Sequence, residues 1–162
     1  MSEYIIMTDS CCDLSDEMAK ELELNVVPLT VHLEGKDYPN YLDGSAISNA
    51  EFYGAIRAGK VASTSAANVG QFQDAMRAVL DTGKDIVCVC FSSALSTTYQ
   101  SATIAADDLR ADYPEREIYV VDSLSASLGQ GLLLYLTVQQ KRAGLSAKEL
   151  ADWVVSNRLS VD

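Results

Sequence analysis

The apolar positions along the chain fall into two kinds of pattern. Tyr4–Met7, the stretch KDIVCVCF and the stretch EIYVVDS are apolar at consecutive positions. Short unbroken runs of this kind fit parallel strands covered on both faces. NVVPLTVHL is β-branched and extended, with Pro28 marking an edge or a bulge. The second pattern has helical spacing. SDEMAKELEL carries Met18 and Leu22, with Leu14 before them, and NVGQFQDAMRAVLDTG places Phe72, Met76 and Val79 or Leu80 on one face. After Phe91, the residues Leu95, Tyr99, Ala102, Ala106 and Leu109 form a stripe that Pro114 ends.

Helix ends are legible as well. ISNAEFYGAIRAG opens on a capping box, Ser48 and Glu51, with Ile47 and Phe52 as a hydrophobic staple, and Gly59 stops it. SASLGQGLLLYLTVQQKRAG is a long, mostly apolar helix closed by Gly144. LSAKELADWVVSNRL opens on a second box, Ser146 and Glu149, with the Leu145–Leu150 staple. EGKDYPNYLDGS is turn-rich. The resulting order, β-α-β-α-α-β-α-β-α-α, predicts an α/β three-layer sandwich: a mostly parallel sheet with helices on both faces.

Composition narrows the function classes. A length of 162 residues is one domain with room for a core. No stretch approaches the roughly 18 consecutive apolar residues of a membrane span. The opening MSEYIIMTDS lacks the basic region of a signal peptide, so a cytoplasmic location is expected. A net charge of −11 disfavours nucleic acid and anionic lipid surfaces as partners. Cys88 and Cys90 share one strand face and should pack as small hydrophobes, while Cys11 and Cys12 are adjacent in a loop. There is no C-x-x-C spacing and only one histidine, His32, so neither zinc, nor any other metal or cofactor, nor a disulfide framework is expected. The ending LSVD has no stop signal and reads as a chain leaving a helix, as in a fragment of a longer protein.

Two phosphate-binding patterns fail on context. GAIRAGK fits G-x-x-x-x-G-K, but Val61 stands where the magnesium-binding hydroxyl belongs, and the glycines fall within and at the end of a helix. Gly129 and Gly131 of GQG come several residues too late after a strand, so close helix packing is expected of them. No G-x-S-x-G elbow is present, and His32 is distant in sequence from every serine cluster, so it reads as a sheet residue.

What remains is a pattern of strand ends. IIMTDS, VCVCFSS and YVVDS each finish in hydroxyls or Asp-Ser. In an open α/β sheet the carboxyl ends of the strands form the ligand crevice. Ser10, Ser92, Ser93 and Ser123 should line that edge, with Ser96 nearby, and Ser63, Thr64 and Ser65 add a further cluster before a helix. Helix capping explains part of this set. Neutral hydroxyls and helix N-terminal amides also suit a carboxylate or phosphate, which they hold without neutralising it. A different class of function stays open: an enzyme acting on a small carboxylated or phosphorylated metabolite, with Asp9 or Asp122 as base or metal ligand.

Five motifs, in order, resemble the DegV family, bacterial fatty-acid-binding proteins that include acyl-binding subunits of fatty acid kinase. They are MTDSCCDLS, YLDGSAISNAEFY, STSAANVGQF, FSSALSTTYQSA and VVDSLSASLGQG. The resemblance implies that residues 1–162 form the N-terminal α/β domain of a two-domain protein whose second domain is absent. It implies a long-chain fatty acid in a tunnel, its carboxylate held by Thr64 and Ser93. It also implies a binding subunit rather than an enzyme, with an ATP-dependent kinase protein as the partner that converts the carboxylate to an acyl phosphate. Ala66 and Ala67 replace a Gln-Pro pair of the family pattern, and Thr97 replaces a glycine.

Overall fold

The computed structural model describes residues 3–12 and 14–160, the side chain of Leu128 apart. Asp13 of the opening motif and the last two residues of the LSVD ending lie outside the described residues. The strands are β1 (Tyr4–Asp9), β2 (Leu24–Val27), β3 (Thr30–Leu33), β4 (Lys36–Pro39), β5 (Ala62–Ser65), β6 (Asp85–Cys90) and β7 (Ile118–Asp122). The helices are α1 (Asp16–Glu21), α2 (Asn49–Arg57), α3 (Val69–Leu80), α4 (Thr98–Asp112), α5 (Ser127–Arg142) and α6 (Ala147–Asn157).

The main sheet has the order β2-β1-β6-β7 and every pair in it is parallel. The unbroken apolar strands follow from burial on two sides. On one side Met7, Ile86, Cys88, Cys90 and Ile118 pack against Phe72 and Met76 of α3 and Ala102, Ala106 and Leu109 of α4. On the other, Tyr4, Ile6, Val87, Val89 and Val121 meet Leu133, Leu134 and Val138 of α5 and Leu150 and Val154 of α6. Each buried side chain of this size contributes about 1.5–3 kcal/mol relative to exposure. The three-layer sandwich is therefore the observed architecture. From β1 the chain goes outward to β2, then returns to β6 on the other side of β1. The strand order thus reverses between β1 and β6, where open sheets of this class place ligands.

The region between the first and second halves differs from expectation. NVVPLTVHL is not one strand: at Pro28 the chain leaves the main sheet for a second, antiparallel sheet of order β4-β3-β5. KDYP, expected as turn, is the strand β4, because Glu34 and Gly35 both take positive φ (52° and 74°). That is the two-residue hairpin turn whose twist matches its flanking strands. Ser63, Thr64 and Ser65, read only as a hydroxyl cluster before a helix, are strand residues of β5. Leu95, expected in the core stripe of α4, is 67% exposed, because the helix starts only at Thr98. Residues before it turn tightly, with Leu95 N and Ser96 N both donating to Ser92 O.

Both predicted capping boxes are present, at Ser48/Glu51 and Ser146/Glu149, and a third, at Asn68/Gln71, opens α3. Gly131 sits in α5 where the helix crosses the turn after β1. A Cβ there would lie 2.8 Å from Cys12 O and 2.9 Å from Leu14 Cδ2. Gly131→Ala should therefore destabilise by about 1–3 kcal/mol through forced displacement, despite alanine's better helix propensity. Urea denaturation checks this, with Gly54→Ala, which meets nothing within 4 Å, as the neutral or stabilised comparison.

Candidate functional site

Two aspartates organise the carboxyl edge of the main sheet. Asp9 ends β1 and is fully buried. Its Oδ2 accepts from Phe91 N at 2.8 Å, and its Oδ1 accepts from Cys11 N at 3.0 Å and from Gln130 Nε2 at 3.2 Å. Gln130 Nε2 also donates to Thr8 Oγ1, whose own hydroxyl donates to Val89 O. One carboxylate thus ties β1 to the loop after β6 and to α5. Burial pushes the Asp9 carboxyl above its ordinary range, and the hydrogen bonds from Phe91, Gln130 and Cys11 pull in the opposite direction.

Asp122 does the same at the end of β7. Its Oδ1 accepts from Ser93 N at 3.2 Å and Leu124 N at 2.9 Å, and its Oδ2 accepts from the Ser93 hydroxyl. Both aspartates considered as base or metal ligand are thus bound to loop donors. Among the described residues no group of three or more His, Cys, Asp or Glu is placed to hold a metal ion.

The serines of this edge divide by burial. Ser92 and Ser123 are buried, and their hydroxyls serve their own loops: Ser92 Oγ accepts from Ala94 N, and Ser123 Oγ both donates to Ser125 O and accepts from Ser125 N. Ser92 N donates to Ser125 O, which joins the two loops. Ser96 Oγ accepts from Thr98 N, so it acts as the local cap of α4, where Thr97 supplies no side-chain bond. Ser93 is exposed, but its one hydroxyl proton is directed at Asp122. To donate to a ligand carboxylate it must rotate away, leaving Asp122 to its amide donors.

A groove of about 640 Å³ opens beside this edge. Leu14, Val31, Leu42, Ile47 and Phe52 give it apolar walls, and Ser10, Asn40 and Thr64 give it polar positions. That is the size of a small-ligand site, and the carboxylates of Asp16 and Asp43 line it as well. Ser10 Oγ accepts from Leu29 N at 2.9 Å and Asn40 Nδ2 at 3.5 Å, so its own proton remains to be donated. Thr64 pairs with Val31 and shares its face of the small sheet. Ser63 and Ser65, one residue to each side, take the opposite face by strand alternation, so they do not join Thr64 in the groove. The fold thus brings Ser10 and Thr64 together, and Ser93 is not among the residues lining this groove. The contribution of Asn40 carried no sequence signal beyond turn-rich composition, and Ile47 was legible only as the staple partner of Phe52.

His32, read as a plain sheet residue, meets Ser65 and Asp37 through its two ring nitrogens. Sequence distance concealed this, because β3 and β5 are joined only through β4 and α2. Cys88 and Cys90 are buried with Sγ atoms 3.6 Å apart, and the hydrogen bond from Cys88 together with burial pushes the Cys90 thiol well up. Such thiols are inert packing residues.

Comparison with known proteins gives a consistent result. The family described as "Uncharacterised protein, DegV family" matches residues 4–161. A DegV domain-containing protein of Clostridium perfringens (strain 13 / Type A) is 38% identical over 158 residues, covering 98% of this chain and 54% of the relative. A stearic acid-binding protein from Eubacterium ventriosum superposes with a TM-score of 0.83 at 30% identity, over 93% of this chain and 52% of that one. A fatty-acid-binding DegV family protein from Thermus thermophilus gives 0.81 at 29% identity, over 98% and 54%. The chain spans about half the length of the curated relatives it matches.

Asp9→Asn tests the brace. An amide in place of the carboxylate turns an acceptor into a donor facing a backbone N–H, so a loss of about 1–3 kcal/mol is expected in urea melts. The pH dependence should also change. A folded carboxyl raised above its unfolded value gives stability that is present below the ordinary value of 3.8 and is lost as pH rises through the folded one. The stability difference between wild type and Asp9→Asn should therefore shrink as pH rises across that window.

Proposed function

The chain belongs to the DegV family, and from that premise we propose that it holds a long-chain fatty acid with the carboxylate at Thr64 and Ser93. The observation that carries the ligand class is the groove: apolar walls from Leu14, Val31, Leu42, Ile47 and Phe52 beside the neutral donors Ser10, Asn40 and Thr64, with Asp16 and Asp43 also among its lining. The relatives from Eubacterium ventriosum and Thermus thermophilus are described as fatty-acid binders, which supports the same ligand class. Burying the acyl chain at about 0.8 kcal/mol per CH₂ dominates affinity, and the hydroxyls set orientation. Ser10, facing the groove with a free proton, is a further donor to the carboxylate. A second domain supplies the remaining wall of the tunnel.

The role is one of binding rather than catalysis. Hydroxyl donors leave the carboxylate charged, and Thr64 and Ser93 are exposed, so a second protein can reach it. We infer that this protein is an ATP-dependent kinase, which transfers the γ-phosphoryl group to a carboxylate oxygen and releases ADP and the acyl phosphate. The bonding of Asp9 and Asp122 to backbone amides weighs toward this reading and against either aspartate as a free base.

The test is binding of stearate and palmitate, followed by thermal shift and by mass spectrometry of the organic extract. It is run on this chain and on this chain joined to the C-terminal half of the Clostridium perfringens relative. No co-purifying lipid and no stabilisation in either protein would overturn the proposal. Thr64→Val and Ser93→Ala should each weaken binding about tenfold, as expected for one hydrogen bond to a charged group, without altering the melting temperature of the unliganded protein by more than a few degrees.

A further inference from the structure

The small sheet carries, on the face turned away from the groove, an arrangement that fatty acid binding does not use. β3 is its central strand, and His32 stands directly opposite Asp37 on β4 and Ser63 on β5. Ser65 lies two residues beyond Ser63 on the same face, within the diagonal reach of a long side chain. His32 Nδ1 is 2.5 Å from Asp37 Oδ1, and His32 Nε2 is hydrogen-bonded to Ser65 Oγ. An ionised aspartate only accepts, so with a neutral ring the proton sits on Nδ1 and is donated to Asp37. Nε2 then presents its lone pair and accepts the Ser65 hydroxyl. A nucleophile, a base and a group that orients the base thus follow one another in hydrogen-bonded sequence. The site is open: the His32 side chain is 37% exposed, and Ser65 is exposed.

A cross-strand polar ladder on a wet sheet face is the simpler account, and such pairs contribute about 0.2–1 kcal/mol each. A ladder has no requirement for which ring nitrogen meets which partner. Here the carboxylate takes Nδ1 and the hydroxyl takes Nε2, the order that leaves a base facing an alcohol.

We propose that Ser65 is a nucleophile activated by His32, with Asp37 as the positioning residue, and that it accepts acyl groups from activated carboxylic esters. Ser65 Oγ bonds to the ester carbonyl carbon as its proton passes to His32 Nε2. The tetrahedral intermediate then collapses with cleavage of the bond to the leaving oxygen. An alcohol leaving group takes the proton back from His32; a phenolate departs without it, and the proton goes to solvent. The acyl group remains as an ester on Ser65 until water, deprotonated in turn by His32, adds to the carbonyl carbon; the bond to Ser65 Oγ then breaks, Oγ takes the proton back from His32, and the carboxylic acid is released.

The experiment is reaction of the full chain with p-nitrophenyl acetate, read both as p-nitrophenolate release and as acetylation mapped by peptide mass spectrometry. A burst matched by one acetyl group on Ser65 is expected. Ser65→Ala should abolish it, and His32→Gln should slow it about a hundredfold, the range of general-base assistance. Asp37→Asn should slow acylation while Asp37→Glu restores part of the rate, a rescue that a merely structural carboxylate would not give. Ser63→Ala, on the same face without a bond to His32, should react as wild type. Circular dichroism of each variant confirms an unchanged fold. An undiminished burst in Ser65→Ala, acetyl groups found only on lysine or tyrosine, or release no faster than with denatured chain would each overturn the proposal.

Discussion

Much of this protein depends on how one buried negative charge is held. Asp9 has no access to water, so its charge persists only because three donors converge on it: Phe91 N, Cys11 N and Gln130 Nε2. An unpaired carboxylate at such a depth would cost several kcal/mol. The donors come from the turn after β1, the loop after β6 and the first turns of α5. Those segments meet where the strand order reverses, the point at which this kind of sheet has no covalent connection of its own. The side chain therefore joins what topology leaves apart. The orientation of Gln130 follows from it: the amide nitrogen faces Asp9 and Thr8, and Gln130 Oε1 is left as a buried oxygen without a hydrogen-bond partner among the described residues.

Asp122 repeats the device one strand pair further along, with a different outcome. Its acceptors hold the loop that carries Ser93, the residue proposed as a donor to the ligand carboxylate. The backbone of that loop is thereby fixed in advance, while the hydroxyl itself must turn away from Asp122 to donate elsewhere. The same contact couples ligand and scaffold, because a proton given to the ligand is one withdrawn from Asp122. Asp9 and Asp122 are adjacent to hydroxyl clusters for a structural reason: strand-end loops in this fold are closed by carboxylates accepting from loop amides. The acidic residues at the edge build the site, and the neutral hydroxyls present it.

The parts of the fold legible in the sequence were those with a strong local signal. β1, β6 and β7 are continuously apolar because both faces are covered, and the capping boxes at Ser48 and Ser146 have fixed spacing that little else produces. Pro28 was visible as a disruption, but that it separates two sheets was not, since neither NVVP nor LTVHL records its hydrogen-bond partner. β4 was hidden by composition: Lys36, Asp37 and Pro39 look like a loop, and their strand geometry is imposed by the Glu34–Gly35 turn and by pairing with β3. Leu95 misled because its spacing matched the α4 stripe, while the turn at Ser92 delays the helix beyond it. Of the site, the hydroxyl-rich strand ends were legible. The division between Thr64 on one face and Ser63 and Ser65 on the other was not, because it exists only once residues 62–65 are a strand.

The two sheets also differ in how freely their sequences can change. Residues of β1 and β6 are packed on both sides, so nearly every substitution there disturbs a core. β5 is mostly exposed and β4 half so, and α2, which contributes Phe52 to the groove, buries no residue completely. The groove is lined by Ser10, which directly follows β1, and otherwise mainly by the small sheet, α2 and the loops around them, where positions can drift. Over evolutionary time, the shape and polarity of the groove can be rewritten in the small sheet and α2, Thr64 included, while the strands of the main sheet stay fixed. One scaffold can in this way yield a series of proteins that share a main sheet and differ in the groove beside it.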